Sequence, residues 1–139
     1  MISVTNLTEQ TLQVGQSITF DQVVIKSGSC AESFRDGSSA IRTGIGAFRA
    51  DFTGNIGGTT AAAPAQLSIS VDGAALLGSN MISTPAAVGD LNNVSSGGNY
   101  FVNTPCVGGG ASVTVTNTGT NPVVVAAGSK LSVMRVGGC

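Results

Sequence analysis

The chain has 139 residues, of which 9% are charged, with a net charge of -1, no histidine, no tryptophan and 20 glycines, where an ordinary soluble domain carries roughly 25% charged residues. Without histidine, Ser-His-Asp and Cys-His mechanisms have no base, and the few scattered lysines and arginines supply no basic stripe for nucleic acid. No run of about 18 apolar residues is present to cross a membrane, so a single domain over residues 1 to 139 with one core is expected.

Ser, Thr, Asn and Gly stand where charge is missing, and they alternate with Val, Ile, Leu and Ala, the period of strands with one buried face. Residues 1 to 16 are polar and alternate weakly. They read as an attachment arm that could add a strand to a neighbour, and their start has neither a basic n-region nor an apolar h-region, so no secretory signal is expected. Val23-Val24-Ile25 is continuously apolar, which predicts a strand covered on both faces. From Gly46 to Ile56, Phe48, Ala50 and Phe52 alternate with Arg49, Asp51 and Thr53, a strand with one apolar face. Arg49 and Asp51 share its polar face, close enough for an ion pair within or between chains.

Residues 57 to 65 read as a loop. Leu67, Ile69 and Val71 alternate with Ser68 and Ser70, and Asp72-Gly73 supplies the turn of a hairpin that returns through residues 74 to 77. The stretch 92 to 99, Asn-Asn-Val-Ser-Ser-Gly-Gly-Asn, reads as a second loop. Val113 and Val115 alternate with Thr114 and Thr116, residues 117 to 119 make a turn, and Val123 to Val125 form a short apolar run. In the last strand Leu131 and Val133 point one way while Met134 and Val136 point the other, again predicting cover on both faces. No amphipathic helix is found. Eight to ten short antiparallel strands with polar turns predict an all-β jelly-roll sandwich.

Chemistry is sparse. Cys30, Cys106 and Cys139 lack Cys-x-x-Cys spacing, so no zinc site is expected. Cys30, Cys106 and Cys139 read first as buried or incidental free thiols; Cys30 and Cys106 lie in loop contexts where a bridge is open to them, and Cys139 could pair between chains, though nothing in the sequence requires either. Asp21, Asp51, Asp72 and Asp90 form no calcium-binding run, and Asp72 reads as a turn residue. Gly54 to Gly58 and Gly108 to Gly110 lack the lysine and helix of a phosphate cradle. Asn6-Leu7-Thr8 and Asn93-Val94-Ser95 match the glycosylation pattern, and both read as unmodified. No cofactor, metal or catalytic residue is expected.

Three segments carry a family resemblance: Ser17-Ile18-Thr19-Phe20-Asp21-Gln22-Val23-Val24, Gly44-Ile45-Gly46-Ala47-Phe48-Arg49-Ala50-Asp51-Phe52, and Gly128-Ser129-Lys130-Leu131-Ser132-Val133. In that order the chain resembles the tumour necrosis factor and complement globular-head superfamily. The resemblance implies a compact jelly roll that assembles as a homotrimer. Small Gly/Ala-rich proteins of this type imply display on a particle surface: a virion, as a phage capsid decoration or head-fibre protein, or else a bacterial spore or cell surface. Low charge independently favours association of copies. The expected contact between copies comprises Val23, Ile25, Phe48, Phe52, Leu131, Val133, Met134 and Val136. The alternative is a receptor- or carbohydrate-binding tip, whose recognition loop would carry Asn92, Asn93, Asn99 and Tyr100.

Overall fold

The computed structural model describes residues 1–27, 32–103 and 110–137; Cys30, Cys106 and Cys139 fall outside the described residues. Within them the protein is all strand and turn, without helix. The strands are β1 (Ile2–Thr5), β2 (Gln10–Leu12), β3 (Gln22–Lys26), β4 (Glu32–Phe34), β5 (Ile41–Thr43), β6 (Gly46–Gly58), β7 (Ala65–Val71), β8 (Ala74–Ala75), β9 (Met81–Ser83), β10 (Asn92–Val102), β11 (Ala111–Asn117), β12 (Val123–Val125) and β13 (Lys130–Gly137).

Two antiparallel sheets face each other. In one, β6 is flanked by β10 along one edge and by β13 then β12 along the other, with β1 and β3 beyond β13 and β2 beyond β12. In the other, the order runs β4-β5-β11-β7, and β8 and β9 share the far edge of β7. Broken strands that continue one another occupy five positions in each sheet, which is the expected jelly-roll sandwich. The two layers are called the β6 sheet and the β7 sheet below.

The alternation in the sequence sets which side chains enter the core. Phe48, Ala50, Phe52 and Ile56 of β6 and Leu131 and Val133 of β13 are buried, and they meet Leu67 and Ile69 of β7 and Val113 and Val115 of β11. Each large apolar side chain removed from water contributes about 1.5–3 kcal/mol. The change of face along β13 also occurs: Met134 and Val136 are exposed, and the register slips by a bulge between Arg135 and Gly137. At the β7–β8 hairpin Asp72 and Gly73 take φ of 52° and 85°, the left-handed pair of a type I′ turn. Asp72 Oδ1 also accepts from Ser112 N at 2.9 Å.

Two expectations need correction. Residues 1 to 16 do not stand off as an arm: β1 and β2 pair within the β6 sheet, and Ile2, Val4 and Leu12 lie in the core. Their alternation is short because β1 supplies only two inward side chains before the chain leaves the sheet. Within the resembling segment Ser17–Val24, strand β3 starts at Gln22; before it, Ser17 makes one isolated bridge to Thr116 while Ile18 and Phe20 drop into the core. The stretch 92 to 99 is not a loop but most of β10, paired residue for residue with β6. Its Asn, Ser and Gly residues hide a strand because few of its inward positions carry a large apolar side chain.

Two buried asparagines tie the strand ends together. Asn6 donates to Thr8 O and Ala126 O at 3.0 and 3.1 Å and accepts from Ser129 N at 3.0 Å, fixing the turn between β12 and β13. Asn117 donates to Leu12 O and Asn121 O at 3.1 and 2.9 Å and accepts from Gly119 N at 3.0 Å. Both amide protons of Asn6 are thus used inside the fold, which leaves its glycosylation triplet no free amide.

Candidate functional site

The register of β6 orders everything on the outer face of its sheet. Odd-numbered residues of β6 point outward, and each meets an outward residue on either side: Ala47 lies between Phe101 and Gly137, Arg49 between Asn99 and Met134, Asp51 between Gly97 and Ser132, and Thr53 between Ser95 and Lys130. Ser3 and then Ile25 extend the Asp51 row. The face therefore has an apolar end and a polar middle.

At the apolar end Phe101 is 58% exposed, Val136 52% and Met134 41%, and Ile25 two strands away is 46% exposed. In the polar middle a shallow groove of about 480 Å³ runs past Arg49, Asp51, Thr53, Ser95, Lys130 and Ser132. Arg49 Nε donates to Asp51 Oδ2 at 3.2 Å, with both side chains about half exposed, so the expected ion pair forms within one chain. Ser3 and Ser132 share a hydroxyl bond of 2.7 Å. Gly97 makes this arrangement possible: a methyl group there would run into Asp51 Oδ1 and stand 3.2 Å from Arg49 Nη2 and from Ala50 O.

The opposite end of β6 extends beyond β13. Here Gly57 pairs with Val124, and the segment Val88 to Leu91 folds over Gly57 so closely that a methyl group there would strike Asp90 O. Between them lies a pocket of about 270 Å³ lined by Val88, Leu91 and Val124, with Glu9 and Asp90 also in the lining.

Tyr100, expected in a recognition loop, points inward. Its ring stacks on Phe48 with centroids 5.6 Å apart, and its hydroxyl bonds Thr43 Oγ1 at 3.2 Å across the sandwich. Burial pushes its pKa up to about 12, and the Glu32 and Asp72 carboxylates add to that while the bond with Thr43 opposes it. Glu32 itself is buried, with the Met1 ammonium 3.4 Å from Oε1. Among the other loop candidates, Asn92 donates to Ser83 Oγ at 2.9 Å, Asn93 reaches Asn55 Oδ1 at 3.4 Å, and Asn99 is exposed beside Arg49.

The expected contact residues divide in two. Phe48, Phe52, Leu131 and Val133 fill the core and are out of reach of a second chain, because they occupy the inward positions of their strands. Val23 packs partly against the core, and Ile25, Met134 and Val136 are on the surface. Sequence reasoning missed Phe101 and the pocket residues Glu9, Val88, Asp90, Leu91 and Val124. Phe101 could have been found only by pairing 92–102 with β6. The four acidic candidates stay apart, and no group of three or more metal-ligating side chains occurs among the described residues.

No protein-family model and no curated protein sequence matches the chain. In three dimensions it is similar to murine APRIL, with a TM-score of 0.70 at 13% identity over 97% of this chain and 97% of that one. A second structure of murine APRIL, at pH 8.5, gives 0.58 at 15% identity, covering 94% and 87%. PRD1 vertex protein P5 gives 0.55 at 10% identity, covering 97% and 95%. At such identities the likeness is one of fold, and the fold is that of the tumour-necrosis-factor-like jelly rolls.

Proposed function

We propose that the chain is a non-enzymatic structural protein that assembles as a homotrimer on a virion surface, as a capsid decoration or head-fibre protein. The observation that carries this reading is the uncovered apolar end of the β6 face, where Phe101, Met134 and Val136 stand together in water. Clustered exposed apolar side chains mark interaction surfaces, and a net charge of -1 offers little repulsion between copies.

A cyclic trimer joins two different surfaces of each copy. The second surface is available at the side of the sandwich, where among the described residues β10 pairs with β6 alone and its other edge has no strand partner. Leu77, 96% exposed on the turn that follows β8, stands beside that edge, since Ser96 Oγ reaches Gly78 O at 3.5 Å. In this reading Ile25, Met134 and Val136 are joined by Phe101 and Ala47 in the contact, with Val23 at its margin. The virion assignment draws support from the likeness to PRD1 vertex protein P5 along nearly the whole of both chains. APRIL shares the same fold, so fold alone does not choose between them.

Sedimentation equilibrium of the full chain at micromolar concentration tests the trimer: a mass three times the 13.7 kDa of one chain is expected, and a stable monomer overturns it. Immunogold labelling of purified particles tests the location. Label on virions is expected; label confined to spores or cell surfaces assigns the protein there instead.

A further inference from the structure

We draw no further inference here: the strongest candidate, the pocket on the β4–β5 hairpin lined by Phe34, Arg35 and Arg42, carries nothing because both arginines are exposed and nothing in the structure shows what would occupy it.

Discussion

The two sheets turn unlike surfaces outward. The β6 sheet presents Arg49, Asp51 and Lys130 together with the uncovered Phe101, Met134 and Val136. The outward positions of β7 and β11 carry hydroxyl groups that bond to one another: Ser17 to Thr116 at 2.9 Å, Thr116 to Thr114 at 3.2 Å, and Ser68 to Thr118 at 2.8 Å and to Asn80 at 2.5 Å. Ser68 and Ser70 point outward yet are only 0% and 2% exposed, because their neighbours close over them. A face whose polar groups satisfy each other is complete in the monomer. A face with bare aromatic and thioether groups is not. The low charge of the chain therefore has two causes, a hydroxyl lattice on one sheet and a surface kept for a partner on the other.

The largest expected effect follows from placing a charge on each face in turn. Phe101→Asp with Met134→Asp would bury unpaired carboxylates between copies, at a cost of several kcal/mol, and should weaken association by at least about a hundredfold. Thr114→Asp on the hydroxyl face should leave the sedimenting mass unchanged. If both variants dissociate, or neither does, the functional distinction between the faces is wrong.

Gly97→Ala comes next. Its methyl group would displace Asp51 from Arg49 or push β10 off β6, and overpacking of this kind costs about 1–3 kcal/mol. A fall in Tm of a few degrees is expected for each kcal/mol, even in a dissociated background. An unchanged Tm would show that the polar middle of the β6 face yields without strain.

The join between the sheets gives a pH effect. Tyr100 is the chain's only tyrosine, so its phenolate absorbance reports one group. Its pKa is pushed up from the ordinary tyrosine value of 10.0 to about 12, mainly by burial, so folding favours the neutral phenol. That contribution is complete below pH 10 and is lost as pH rises from 10 through 12. Tyr100→Phe keeps the ring on Phe48 and should remove this alkaline loss. An ordinary tyrosine titration in the folded wild type would place the ring outside the core.

Ser68→Ala tests the hydroxyl lattice. It removes one member while Asn80 and Thr118 remain near water, so chemical denaturation should show a loss of about 0.5–1.5 kcal/mol with the oligomer intact. A larger loss accompanied by dissociation would make the β7 face an interface too.

How far these surfaces were legible in the sequence depended on side-chain size. Strands β6, β11 and β13 announce themselves because Phe48, Phe52, Val113, Val115, Leu131 and Val133 recur with period two, and Asp72-Gly73 marks its turn because few other pairs reach positive φ so cheaply. β10 is silent because Gly97, Gly98, Ser95 and Ser96 carry no periodicity, and its identity comes from pairing with a strand some forty residues earlier. Phe48 and Phe52 illustrate a second limit. Periodicity shows that they share a face but not whether that face meets the core or a partner, and the opposing sheet decides it. The pocket was illegible for the same reason: Glu9, Gly57, Asp90 and Val124 are brought together only by the closed fold.

The smallest effect expected in the dissociated chain is at the Arg49–Asp51 pair, and it bears most directly on the difference between the faces. In a dissociated background the pair is half exposed at 3.2 Å, so Asp51→Asn should cost about 0.2–1 kcal/mol and the cost should shrink with added salt. In the trimer the same groups would lose water, and removing one partner from a buried pair costs about 3–5 kcal/mol. Measured in the two backgrounds, the substitution therefore reads out whether the β6 face is covered. A small, salt-sensitive cost in both would mean that Arg49 and Asp51 stay wet in the assembly, which would confine the contact between copies to the Phe101 end of the face.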